Sequence, residues 1–280
     1  MSYAKDVLVD TDWVSERLDD DSVRIIEVDE NPALYAEGHI PGAIGLDWQA
    51  DLQDQVSRNF LDAEAFGELM GSRGISNDHT VVLYGDRNNW FAAYTYWYFL
   101  YYGHDNAKLI DGPREKWVAE GRETSVEVPS HPAATFTADA GDDSIRAYRD
   151  EVLATLENGT NLVDVRSPQE YSGELITAPG YEQEGAQRSG HIPGAASVPW
   201  SKAVNEDGTF KSAQELRELY VEEGVLADGH PVIAYCRIGE RSAHTWFVLH
   251  ELLGAKDVKN YDGSWTEWGN LVGVPIEKGA

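Results

Sequence analysis

"EGHIPGAIGLDW" at residues 37–48 returns nearly unchanged as "SGHIPGAASVPW" at residues 189–200. Other pairs fall at almost the same distance. "IIEVD" (25–29) answers "LVDVR" (162–166), "VVLYGD" (81–86) answers "VIAYCR" (232–237), and "LIDGPREKW" (109–117) answers "NYDGSWTEW" (260–268). His39 and His191 lie 152 positions apart, and Tyr84/Tyr235, Asp111/Asp262 and Trp117/Trp268 each lie 151 apart. A fixed internal offset is the mark of a duplicated structural unit. The 280 residues therefore divide into an N-terminal copy, 1–123, and a C-terminal copy, 145–280. The stretch between them, 124–144, is polar, holds two prolines and has no helical or strand period, which predicts a linker.

Within each copy, short apolar runs alternate with helical patterns. In the second, "NLVDVR", "PVIAYC" and "VKNYDG" read as strands, while 145–158, 213–224 and 242–254 read as helices. Strands alternating with helices predict an α/β fold, each copy a parallel sheet with helices on both faces. Ligands in such sheets sit beyond the carboxyl ends of the strands. Cys236, the one cysteine of the chain, stands at that end of "VIAYC".

The copies differ where chemistry is expected. With Tyr84 aligned on Tyr235, Gly85 stands opposite Cys236 and Asp86 opposite Arg237. The N-terminal copy lacks the nucleophile and is predicted to be catalytically inactive. The C-terminal copy also carries 15 extra residues, since Glu27 to His39 spans 12 positions and Asp164 to His191 spans 27. That insert, around 172–188, is expected to form a loop near the cleft. His39 and His191 occur in both copies and read as scaffold, as do Asp164, Arg166, Asp111 and Asp262.

Composition narrows the partners. Forty-nine acidic residues against 22 basic ones leave a net charge of −27, a field that repels nucleic acid and anionic membranes. Fourteen of the basic residues are arginine. Acid excess along the whole chain suggests adaptation to high salt, where screening removes the self-repulsion. "MSYAKDVLVDTDWVSERL" has no apolar signal core, and the aromatic run 89–102 is shorter than the ~20 residues that cross a bilayer. The expected location is the cytoplasm. A single cysteine excludes an internal disulfide and a multi-cysteine zinc site. His244 and His250 lie six apart and miss a common helical face. No metal or cofactor is expected.

"CRIGERS" (236–242) joins a strand end to a helix start, with Ser242 a good N-cap type and Gly239 free to take positive φ. Such a turn directs backbone N–H groups into one hollow, and the helix adds its positive end. Arg237 and Arg241 add charge suited to an oxyanion. These effects predict a thiolate with a depressed pKa, an activated sulfur nucleophile.

These motifs, "DVRSPQEY" (164–171), both "GHIPGA" copies, "CRIGERS" and "NYDGSWTEWG" (260–269), resemble those of the two-domain rhodaneses, thiosulfate sulfurtransferases, here in an acidic, haloarchaeal-like variant. The resemblance spans essentially the whole chain. It implies that Cys236 takes the outer sulfur of thiosulfate as a persulfide, releases sulfite, and passes the sulfur to a thiophilic acceptor such as cyanide, a thiol or an acceptor protein. Arg241 would contact the sulfonate. The amides of Arg237, Ile238, Gly239, Glu240 and Ser242 would cradle the persulfide. One departure stands out: some relatives use an arginine where Glu170 stands, and Arg188 is a candidate replacement. Three other readings share features of the loop. A 3-mercaptopyruvate sulfurtransferase usually has small neutral residues after the cysteine. A cysteine phosphatase places arginine six residues after it, where Arg241 is five after Cys236. A persulfide carrier in sulfur trafficking would use the same cysteine.

Overall fold

The apolar runs of each copy lie side by side in a parallel sheet. The structure, a computed structural model, describes residues 2–226 and 229–279. Its first sheet holds β1 (Leu8–Val9), β2 (Val23–Glu27), β3 (Ile44–Gly45), β4 (Thr80–Tyr84) and β5 (Ala107–Ile110) in the order β1-β5-β4-β2-β3. The second holds β6 (Asn161–Asp164), β7 (Ala196–Ser197), β8 (Val232–Tyr235) and β9 (Val258–Tyr261) in the order β7-β6-β8-β9. Every ladder between named strands is parallel. All four residues of β8 are buried, as expected of a strand covered on both faces, which is why it reads as an unbroken apolar run.

The strands β2-β3-β4-β5 and β6-β7-β8-β9 occupy the same places in their sheets. The place of β1 is taken in the second sheet by Arg146, which makes a parallel bridge to Asn260. Ala147 N–H donates to the Asn260 carbonyl at 2.9 Å and Asn260 N–H to that of Ile145 at 3.0 Å. The helix expected over 145–158 is therefore shorter, Arg149–Asn158, because its first residues are spent on the sheet edge.

The chain divides into two compact units, residues 7–142 with 204–210, and residues 1–6 with 143–203 and 211–280. The segment predicted as a linker is not free. Ser125 and His39 exchange two backbone hydrogen bonds of 2.8 Å, and Ala134 N–H donates to Gly71 O at 2.9 Å. Phe136 is buried against Phe66, Phe99 and His104. A Cβ at Gly67 would lie 2.8 Å from the Phe136 carbonyl, and one at Gly71 2.6 Å from that of Ala134. Those two glycines in the helix Ala63–Ser72 are what let the segment lie against it.

The aromatic run forms the buried helix Trp90–Tyr101. Among the described residues no helix is long and apolar enough to cross a membrane. The two histidines sit alike. His39 stacks on Tyr35 at 3.9 Å and His191 on Tyr171 at 3.7 Å. Each places Nδ1 2.8 Å from the carbonyl of its own tyrosine partner.

Candidate active site

β8 ends at Tyr235, and the next residue, Cys236, is fully buried. The turn is made by Gly239 at φ 105°, and the helix runs Glu240–Trp246 with Gly239 as its cap. It starts two residues before the expected Ser242. The reason is Asn260 on β9: the Ser242 hydroxyl lies 2.6 Å from its Oδ1, and its Nδ2 donates to the Gly239 carbonyl at 3.1 Å. The buried Asn260 fixes the turn, and Ser242 becomes part of the first helical turn.

The loop is also tied to the last motif of the sequence. Cys236 N–H donates to Ser264 Oγ at 3.1 Å. The carbonyls of Cys236 and Arg237 accept from Trp265 N–H at 3.1 Å and Thr266 N–H at 3.0 Å. "CRIGERS" and "NYDGSWTEWG" thus form one hydrogen-bonded piece. At its centre Gly239 N–H donates to Cys236 Sγ at 3.2 Å, and Sγ lies 3.1 Å from Glu240 Oε2.

Both arginines of the loop are already engaged. Arg241 makes a two-pronged contact with Glu170, at 3.0 and 3.3 Å, and its Nε lies 3.5 Å from Glu240. Arg237 pairs with Glu240 at 3.0 Å and with Glu184 at 2.6 Å, and its guanidinium stacks on the Tyr181 ring at 3.9 Å. Two guanidinium groups meet three carboxylates. The carboxylates respond: burial pushes Glu170 up, but Arg241 outweighs it and the pKa falls to about 2. Glu240 is likewise held low, Arg237 and Arg241 overcoming its burial.

The cysteine responds in the opposite direction from the sequence expectation. Burial pushes the Cys236 thiol up, Glu240 pushes it further, and Arg241 only partly opposes them. The arginines that were to stabilise a thiolate are neutralised by Glu170, Glu184 and Glu240, and a carboxylate faces the sulfur. The resting site holds a thiol.

Ile238 and Ser242 are buried beside this loop. Of the predicted groups, the structure brings the Gly239 amide to the sulfur, while Arg241 is turned to Glu170. Arg188 does not replace an arginine at 170. It donates to the carbonyls of Gly269, Val274 and Trp268 at 3.2 Å and also to Leu271, closing the end of the helix Ser264–Trp268. The insert does come to the site, but through Tyr181 and Glu184. Glu170 and Glu184 are site residues that the sequence reading missed. The Ser167–Glu170 pair forms a capping box, a visible signal that Glu170 sits at a helix start.

Asp164 and Arg166 form a buried ion pair behind the loop, with Arg166 Nη2 2.6 Å from Asp164 and 2.7 Å from the Gly190 carbonyl. The guanidinium of Arg166 stacks on Trp265 at 4.4 Å. Among the described residues no group of three or more His, Cys, Asp or Glu could hold a metal ion.

The rhodanese-like domain family matches residues 10–120 and 148–271. The chain belongs to the rhodanese family, in a two-domain form. The sulfur carrier protein TtuD of Thermus thermophilus is 60% identical to it, over 100% of this chain and 99% of its own. A Haloferax volcanii protein named "Putative thiosulfate sulfurtransferase" is 57% identical over 99% of this chain and 98% of its own. Among solved structures, the anaerobic ergothioneine biosynthesis enzyme of Chlorobium limicola with trimethyl histidine matches at a TM-score of 0.84 and 26% identity, over 98% of this chain and 70% of that one. A variant named EanB, whose structure carries a cysteine persulfide, matches at a TM-score of 0.84 and 25% identity, with the same coverage of both chains. The chain is thus a rhodanese-family sulfurtransferase.

Proposed function

We propose that the protein takes the sulfane sulfur of thiosulfate onto Cys236 and passes it to a thiophilic acceptor. The observation that carries the reading is the sulfur itself: the only thiol of the chain, beyond the carboxyl end of β8, within 3.2 Å of the Gly239 amide. In the first half-reaction Sγ attacks the outer sulfur of thiosulfate. The S–S bond of thiosulfate breaks, and its electron pair leaves with sulfite. In the second half-reaction cyanide or a thiol takes the outer sulfur of the persulfide, returning the bonding pair to Sγ. The backbone amide and the neighbouring guanidinium groups favour the extra negative charge of the persulfide. An anionic donor must compete with Glu170 and Glu184 for Arg241 and Arg237. This needs a donor of high charge, and thiosulfate meets that better than mercaptopyruvate does.

A second reading, a persulfide carrier that receives sulfur from another protein, is favoured by the same pairing, because arginines occupied by carboxylates leave little positive charge for a small free donor. The 60% identity to a protein named a sulfur carrier supports it too. The reducing, high-salt cytoplasm inferred from the one cysteine and the −27 charge belongs to either reading. The test compares initial rates of sulfite release from thiosulfate with pyruvate release from 3-mercaptopyruvate, cyanide being the acceptor in both. The reading expects faster turnover with thiosulfate. Higher turnover with mercaptopyruvate reverses the donor, and slow turnover with both, beside rapid loading from a protein persulfide, gives the carrier.

A further inference from the structure

The loop contains no histidine base, and its thiol is buried and protonated, so the proton must go somewhere. Glu240 is the group in place to receive it. Its Oε2 lies 3.1 Å from Sγ, and both residues are fully buried. Its other oxygen is held by Arg237 Nη2 at 3.0 Å, with Arg241 Nε at 3.5 Å. The charged groups around it are Arg237 from the loop and Arg241 from its own helix. Glu184 of the insert and Glu170 of the helix Pro168–Ser172 lie one ion pair further out. Asp262 packs its backbone on Gly239, and its carboxylate is taken by Arg146 at 3.0 and 3.1 Å.

Burial makes a net change of charge here expensive. Losing the thiol proton to water would add a second anion beside Glu240. Moving it 3.1 Å to Oε2 adds none, because one proton and one negative charge remain on the pair, facing the same two arginines. We propose that Glu240 is a catalytic residue that accepts the Cys236 proton and returns it to the leaving sulfite. This rests on the sulfur-transfer reading of Cys236. The proton passes from Sγ to Oε2 and Sγ bonds to the sulfane sulfur. The thiosulfate S–S bond breaks with its electron pair going to sulfite, which takes the Glu240 proton and departs as bisulfite. The enzyme is left with an ionised Glu240 and an ionised persulfide. Sγ is oxidised to the persulfide level as the S–S bond of the donor is reduced.

The consequence is a distinctive pH dependence. The reactive form, thiolate with neutral Glu240, carries the same number of protons as the resting form, so its share does not change with pH while the pair holds one proton. An isolated thiol instead gains thiolate about tenfold per pH unit below its pKa. The experiment measures the rate of Cys236 alkylation by iodoacetamide from about pH 6 to about pH 9, with the ultraviolet absorbance of thiolate read in parallel against a Cys236→Ser blank. The expected result for the unmodified protein is a flat rate with no thiolate absorbance. A rate rising with pH, or a flat rate accompanied by thiolate absorbance, overturns the role of Glu240, and both are read without any variant. In Glu240→Gln the flat region should give way to a single titration in which rate and absorbance rise together. A flat, absorbance-free profile in that variant also overturns the proposal. Persulfide formation from thiosulfate, followed by mass, is a separate readout. Persulfide beside a sloped profile rejects Glu240 and leaves sulfur transfer standing, while a flat profile without persulfide rejects the sulfur-transfer reading.

Discussion

β4 and β8 occupy the same place in their sheets, yet one delivers Gly85 and the other Cys236. The scaffold around them is shared. Tyr84 and Tyr235 each accept a hydrogen bond from a GHIPGA backbone, Ile40 N–H at 2.8 Å and Ile192 N–H at 3.1 Å. What changed is the charge. Where the C-terminal unit pairs Asp164 with Arg166, the N-terminal unit sets Glu27 beside Asp29, and its cation has moved to Arg114, 3.4 Å from Glu27. Arg114 stands 151 residues before Trp265, the ring on which Arg166 stacks. Burial and the adjacent Glu27 push Asp29 up to about 8, and burial pushes Asp86 up to about 7. The N-terminal unit shares the hydrogen-bonded frame but sets Asp29 and Asp86 where the C-terminal unit has Arg166 and Arg237.

Moving the nucleophile between the two units should have the largest effect. Cys236→Ser should abolish sulfur transfer, because a hydroxyl is a far poorer nucleophile at neutral pH. Adding Gly85→Cys to it should restore nothing. A Cβ at Gly85 would lie 2.0 Å from the Val28 carbonyl, so that variant should also lose stability. Thiocyanate production by the double variant would contradict the assignment of all chemistry to the C-terminal unit.

The ion pairs give the next largest effect. Arg166→Met leaves Asp164 buried and unpaired, and the expected loss is ~3–5 kcal/mol. Arg241→Ala leaves Glu170 buried without its arginine, while Glu240 keeps Arg237, and should cost a similar ~3–5 kcal/mol. Denaturant unfolding of both variants measures this. Losses near zero would mean that the carboxylates find water or other partners, and that the arginines are free for substrate.

A smaller effect separates the units by pH. Asp29 keeps its proton in the folded state up to about pH 8, against an ordinary aspartate value of 3.8. Its contribution is full below the lower value and is lost as pH rises through the higher one. Glu170 has the opposite sign. Its contribution is full above 4.5 and is lost as pH falls through about 2. Hydrogen exchange should show β2 and β4 losing protection from mild acid towards pH 8, and Asp29→Asn should remove that slope. A slope that survives the substitution would assign it elsewhere.

The smallest effect concerns the whole surface. Carboxylates repel across ~30 Å at 0.01 M salt and only ~3 Å at 1 M. With a net charge of −27, the melting temperature should rise from tens of millimolar to molar KCl. A flat melting temperature would make the acidic excess incidental.

The parallel sheets were legible in the sequence because the repeat offset and the apolar runs are local patterns that survive duplication. Cys236 was legible because a strand end followed by glycine and a helix start is local as well. The seating of 124–142 was not, since it depends on the missing side chains of Gly67 and Gly71, which carry no periodic signal. The electrostatics of the site were not legible either. Arg241 and Glu170 are 71 residues apart, and nothing in "CRIGERS" shows that three carboxylates converge on its two arginines. Read alone, the arginines predict a thiolate. Read with Glu170, Glu184 and Glu240, they hold a thiol. Glu240 was in plain view within the motif, but its backbone amide was given the part that its side chain takes.

Sulfur transfer by this protein depends on one sulfur atom, Sγ of Cys236. Intact mass spectrometry of the protein after thiosulfate treatment, followed by cyanide, tests that directly. The prediction is a gain of one sulfur atom that maps to Cys236, is removed by cyanide, and is absent in Cys236→Ser. An unchanged mass in the native protein, or the same gain in Cys236→Ser, would contradict it.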